Sequence, residues 1–321
     1  MVYSRFSSKL LGSKDSSSQN KGAFDRIRDR DGNRKGGSGE SWWKVNCYSK
    51  YPLKFIIPNK VGPSQTDAVW IYTITYGGGI VSGDSIMCDI SVGGGCTTVL
   101  TTQASKKVYK SVESKCSKQV LEARIGSDAL LAVIPDPVTC FSTAKYSQTQ
   151  VFKVFPSSSL LIVDWITSGR YGRGEKWDFE LYKSTNNIFL EADEPLFLDT
   201  ILLEQRRYSS IAERMQYYQV IAMVILLGPK LKFIQDQIQE NVKNLMSRQF
   251  CIPSGSSGRY GDINDNPFLT RPSFLASCSV FGQKGRGVVV RIAAMTTESV
   301  YSFLQCQLSG LDSLLGVAPY R

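Results

Sequence analysis

A chain without histidine must do any proton or metal chemistry with carboxylates, amines and thiols. Histidine is the usual general base at neutral pH and the commonest borderline-metal ligand. A Ser-His-Asp triad and a His-rich metal store are therefore excluded, and the acids come first. Asp84 ends the run Gly77-Gly78-Gly79-Ile80-Val81-Ser82-Gly83-Asp84, while Asp164 and Glu175 flank the turn Gly169-Arg170-Tyr171-Gly172-Arg173-Gly174. Two carboxylates about 5 to 9 Å apart serve as acid and base in glycoside hydrolysis, so Asp164 and Glu175 make a carbohydrate-active hydrolase one reading. Ion pairing with the arginines between them is the other.

The glycine run has the two-glycine spacing of a phosphate-binding loop, but such a loop needs Lys then Ser or Thr after its second glycine. Here that place holds Asp84, which repels phosphate, and the dinucleotide spacing fails at Ser82. No nucleotide is expected. Glycines that permit positive φ and a tight backbone crossing explain the run. The eight cysteines include no Cys-x-x-Cys pair, so zinc-ribbon and thioredoxin-like readings are weak and reduced thiols are expected. Cys88 and Cys96, either side of Gly93-Gly94-Gly95, read as buried small apolar residues or as a soft metal pair.

Short alternating runs dominate the elements that must hold these groups. Ile86–Val92 and the residues after the triple glycine read as a β-hairpin. Strand-length runs follow at Gln119–Ile125, Leu130–Ile134, Gln150–Phe155, Leu160–Ile166, Trp177–Tyr182, Ile188–Glu191 and Leu196–Glu204. Val220–Leu227 is wholly apolar yet far below the ~20 residues that cross a bilayer, so it reads as a core strand and no membrane span is expected. Phe274–Phe281 and Gly287–Met295 form a second hairpin. Two segments have helical periodicity, Pro229–Met246 and Thr297–Leu315. The fold class is thus mainly β, in a β-helical or layered arrangement, with two α-helices in the C-terminal part.

Residues 1–40 are Ser, Gly, Lys, Arg and Asp in loose order and read as a disordered basic arm. Residues 41–321 read as one β-rich domain carrying a flexible loop at 251–272. Of the net charge of +10, nine Lys or Arg minus five Asp or Glu in residues 1–40 give +4, leaving +6 for the rest. With only Lys106, Lys107 and Lys110 clustered beside Tyr109, nucleic acid is not an expected partner.

Gly-Gly-Ile-Val-x-Gly-Asp ending at Asp84, Thr-Thr-Gln-Ala-Ser-Lys-x-Val-Tyr-Lys-Ser at 101–111, Asp164-Trp165, Gly169-Arg170 with Gly174-Glu175-x-Trp177, and Ser210-Ile211-Ala212-Glu213-Arg214 together resemble the UreD (UreH) family of urease accessory proteins, most of all its plant members. The resemblance runs through residues 45 to 321. It implies a β-helical fold and a non-enzymatic, cytoplasmic chaperone that delivers nickel to apo-urease along a water-filled internal path. The implied partners are apo-urease, a second accessory subunit of UreF type and, indirectly, a nickel GTPase of UreG type, with the chain dimeric within the accessory complex. By motif matching, Asp84, Asp164, Glu175 and Asp199 are candidate nickel-path acids, with Ser105 and Lys106 beside them. Val300, Phe303, Leu304, Tyr320 and Arg321 are candidate partner contacts.

Overall fold

The computed structural model describes residues 2–11, 42–49, 51–58, 66–250 and 272–320. The chain opens with β1 (Val2–Leu11), β2 (Trp42–Tyr48), β3 (Leu53–Ile56), β4 (Val69–Thr75) and β5 (Gly79–Ile80). From there it winds. β6 (Ser85–Val92) leads across a glycine corner to β7 (Thr97–Thr102) and β8 (Lys106–Val108), and β9 (Ser117–Ile125) leads to β10 (Leu130–Val133) and β11 (Val138–Cys140). β12 (Lys145–Val154) leads to β13 (Ser159–Thr167), and β14 (Leu181–Leu190) begins the next passage.

Strands β6, β9, β12 and β14 stack in parallel in one sheet; β7, β10 and β13 do so in the other. This is a β-helical winding, each coil placing a strand in each sheet. β15 (Pro195–Glu204) closes the first sheet at one edge as an antiparallel strand. β16 (Val220–Leu227), β17 (Phe274–Phe281) and β18 (Gly287–Ala294) extend the second sheet antiparallel from β13.

Period-2 alternation explains the layers, because successive side chains of a strand face opposite ways. Leu160, Ile162 and Ile166 of β13 pack between the sheets with Ile86, Leu121, Phe152 and Ile188, while Leu161, Val163 and Trp165 face the other way. That outer face is covered by Ile234, Ile238 and Val242 of α2 (Lys232–Phe250) and by Val300, Leu304 and Leu308 of α3 (Thr297–Leu308). Two shorter helices complete the count among the described residues, Ile211–Met215 and Asp312–Leu315. The strand expected at Val220–Leu227 forms, and so does the hairpin of β17 and β18.

Four expectations change. The runs Trp177–Tyr182 and Ile188–Glu191 are not separate strands, because a single strand, β14, spans Leu181–Leu190. Ile86–Val92 and the strand after the triple glycine do not form a hairpin: they lie in different sheets, and Gly93–Gly95 turns the chain from one to the other. Alternation reports a half-buried strand but not its partner, and these strands pair with the next coil, not with each other. Val2–Leu11, within the arm expected to be disordered, forms a strand parallel to β6; residues 12–41, and the loop at 251–271, lie outside the described residues. The helix expected over Thr297–Leu315 is broken by a 3₁₀ turn at Ser309–Leu311.

Gly228 joins β16 to the helical layer at φ +98°, and an added Cβ would lie 2.2 Å from the Ser158 carbonyl oxygen. Gly228→Ala should therefore lower the unfolding free energy by about 1–3 kcal/mol, read from the urea midpoint. Gly172→Ala, where nothing lies within 4 Å of the added carbon, should change it by less than about 0.5 kcal/mol.

Candidate functional site

Among polar residues between the sheets, Asp164 is at the centre. It shares the inward parity of Ile162 and Ile166, and is 4% exposed. A bare carboxylate there would be costly, so it needs donors. The opposing sheet supplies them from parallel neighbours in register. Gln148 of β12 lies beside Ser184 of β14, and Gln150 lies beside Asn186. Gln148 Nε2 donates to Asp164 Oδ1 at 2.8 Å, Ser184 Oγ to Oδ2 at 2.5 Å and Asn186 Nδ2 to Oδ2 at 2.7 Å. The Tyr182 hydroxyl approaches Oδ1 at 3.4 Å. Behind this shell, Tyr146 donates to Gln119 at 3.0 Å, and Gln150 donates to Asn186 Oδ1 at 2.8 Å.

Lys106 joins from β8. Its register neighbours are Val138 of β11 and, through that strand, Ile166 of β13, both of which face the interior. Lys106 thus lies on the same face as Asp164, one inward position along. Burial lowers its pKa to about 8, against the upward pull of Asp164 and Cys88. Burial also raises the pKa of Asp164, opposed by its hydrogen bonds from Ser184 and Asn186 and by the Lys106 charge. The glycine run serves this placement. Gly79 packs so closely on β8 that an added Cβ would meet the Lys107 carbonyl oxygen at 2.6 Å, while Gly77 and Gly78 take positive φ.

The polar interior continues to the sheet edge. Asn186 pairs in register with Asp199 of β15, and Asp164 pairs through Met223 with Arg291 of β18. On the first sheet the row Gln150, Asn186, Asp199 runs to the edge strand β15, and on the second the row Asp164, Met223, Arg291 runs to β18, each across two strand spacings or about 10 Å. The rows meet again at the edge, where Arg291 donates to Asp199 Oδ1 at 2.8 Å. The Asp199 side chain is 16% exposed and that of Arg291 50%. Asp199 Oδ2 is buried and accepts no hydrogen bond among the described residues.

The structure brings Asp164, Asp199 and Lys106 to this seam but not the other two acids. Asp84 caps its own turn: its carboxylate accepts from the Val81 amide at 2.9 Å, and its amide donates to the Val81 carbonyl at 3.0 Å. Glu175 is held by Arg170, whose Nε donates to it at 2.8 Å and whose guanidinium lies over the Phe141 ring at 3.9 Å. That hydrogen bond pulls the Glu175 pKa down. Asp164 and Glu175 are thus held by separate sets of partners, Gln148, Ser184 and Asn186 for the one and Arg170 for the other. Ser105 is half-buried next to Lys106. Cys88 and Cys96 are both buried in the apolar interior.

The residues expected to contact a partner also pack within the chain. Val300 and Leu304 are wholly buried beneath α3, and Phe303 packs on Phe274 with centroids 5.3 Å apart. The Tyr320 hydroxyl donates to the Pro135 carbonyl at 2.9 Å. These side chains seat the helix on the sheet. Arg321 lies outside the described residues.

Sequence reading missed Gln148, Gln150, Ser184, Asn186 and Arg291. In the structure Lys145–Val154 alternates strictly in burial, with Tyr146, Gln148, Gln150 and Phe152 inward. With polar residues on both faces, the middle of that strand does not read as amphipathic. The helix Ile211–Met215 was legible, since Ser210 and Glu213 form a capping box.

Two outcomes follow from this geometry. A proton titration followed at the Lys106 ε-carbon by NMR should show its charge lost near pH 8. In Asp164→Asn the midpoint should fall further, because the carboxylate that favours the charged amine is gone. The same variant turns one acceptor oxygen toward donors as an amide, and should destabilise the fold by about 1–3 kcal/mol, measured by urea unfolding.

The chain matches the model of the UreD urease accessory protein family over residues 43–320. It is 63% identical over 276 residues to urease accessory protein D of Arabidopsis thaliana, covering 86% of this chain and 94% of that protein. To the protein of the same name in Oryza sativa subsp. japonica it is 60% identical, over 86% of this chain and 89% of the other. A bacterial relative named urease accessory protein UreD, from Anaeromyxobacter, is 29% identical over 86% of this chain and 83% of its own length. A matched span that takes in both sheets' coils, the polar seam and the helical layer places the chain in the UreD family of urease accessory proteins.

Proposed function

We propose that this chain acts in urease maturation as a non-enzymatic accessory protein that passes nickel to apo-urease, in company with other accessory proteins, along the interior seam. The carrying observation is the run of polar side chains from buried Asp164, through Asn186, to Asp199 and Arg291 at the β15 edge. A path for a hydrated divalent cation wants oxygen donors met in succession, each weak enough to release the ion. The seam offers carboxylate, amide and hydroxyl oxygens. No group of three or more His, Cys, Asp or Glu suited to hold a metal occurs among the described residues, and a path has no need of one. A partner of UreF type, a GTPase of UreG type, a dimeric accessory complex and a cytoplasmic setting belong to the same proposal. No helix among the described residues is long and apolar enough to cross a membrane.

The test is nickel-dependent urease activity in cells that hold urease and the remaining accessory proteins but lack this component. The wild-type chain should restore activity. Asp164→Asn, expressed to the same level, should reduce it by about tenfold or more. Asp84→Asn, whose carboxylate only caps a turn, should restore activity in proportion to the amount of folded chain. Full activity in Asp164→Asn would remove the interior path from the proposal, and no activity with the wild-type chain would remove the maturation role.

A further inference from the structure

Each interior carboxylate faces a basic side chain of the same protein. Asp164 shares its face with Lys106, and Asp199 is bonded to Arg291. Taking nickel cargo through the seam as proposed above, we propose that Lys106 and Arg291 are internal counter-ions. They are tethered cations that compete with a divalent ion for Asp164 and Asp199, so that cargo is released onward and not stored.

The placement supports this at both ends. Lys106 is a poor choice for filling space between apolar strands, since its ammonium loses hydration there without gaining a packing advantage. The opposite charge of Asp164 offsets only part of that loss, since burial still carries the Lys106 pKa downward. Asp164 already has donors in Gln148, Ser184 and Asn186, so its hydrogen bonding does not require an ammonium. What the ammonium adds is charge. At the edge, Arg291 takes one oxygen of Asp199 and leaves Oδ2 buried with an open lone pair. A divalent ion arriving there finds one oxygen available and a guanidinium occupying the other. Two charges of one sign cannot share that carboxylate without cost, so the ion's stay is short.

A purely structural role predicts that replacing either basic residue weakens the fold and leaves metal affinity alone. A counter-ion role predicts tighter metal binding. The experiment is calorimetric titration of nickel into the purified full-length chain, as wild type, Lys106→Met, Arg291→Met and Arg291→Lys. Arg291→Met should bind nickel about tenfold tighter, the scale on which one nearby opposite charge shifts cation binding to a carboxylate, and Arg291→Lys should stay near wild type. Adding Asp199→Asn to Arg291→Met should abolish the gain, which locates the ion. Lys106→Met should show a similar gain. If that buried variant does not fold, the half-exposed Arg291 decides. Affinity in Arg291→Met equal to or weaker than wild type overturns the proposal. Failure of the path itself is read separately: Asp164→Asn would then activate urease fully. If instead Asp164→Asn fails to activate while the basic-residue variants bind nickel as wild type does, the counter-ion inference alone is lost.

Discussion

A carboxylate sealed between two sheets must be surrounded by donors, and much of this molecule is arranged around meeting that demand at Asp164. The donors come from β12 and β14, two parallel strands stacked in register, so that Gln148 stands beside Ser184 and Gln150 beside Asn186. Only a winding chain that returns to the same sheet at the same phase sets such pairs across from a third strand in the opposite sheet. Removing the carboxylate would leave amide and hydroxyl donors without acceptors. Removing the donors would leave a bare charge in an apolar interior. Either loss costs more than the average contact, since buried polar groups carry their full desolvation penalty when unpaired.

The apolar remainder frames this seam. Phe152, Ile188 and Leu121 continue the inner face of the first sheet beyond the polar rows, and Ile162, Ile166 and Ile225 do the same from the second. Apolar walls strengthen the electrostatic interactions between them. The same walls explain why the Lys106 and Asp164 pKa values move in opposite directions from their usual ranges, each toward its neutral form.

The mainly β class, the core strand Val220–Leu227 and the two long helices were all legible in the sequence, because each rests on a local pattern. Pairing was not. Ile86–Val92 announces a half-buried strand, but nothing in its residues says that its neighbour lies thirty residues on, at Ser117–Ile125, and not across the glycine turn. The seam was hidden for a related reason. Polar residues on both faces of Lys145–Val154 erase the alternation by which such strands are found, so the stretch richest in candidate chemistry was the hardest to read. Asp84, prominent by motif, is a turn cap whose role depends on a hydrogen bond to a residue three positions away. A motif marks which residues belong together but does not say which of them reach the interior.

Strand β13 holds Asp164 and Trp165 on successive residues with opposite orientations. The Trp165 indole donates to the Pro135 carbonyl at 2.9 Å, the same oxygen that receives the Tyr320 hydroxyl, and its ring meets those of Tyr301 and Tyr320 edge-on. The polar interior and the C-terminal tail are therefore separated by a single peptide plane. Adjacent residues of one strand thus serve two separate layers, the polar seam and the helical face. A shift of β13 along its own axis would displace Asp164 and Trp165 together, so neither layer can be refitted at this strand without the other.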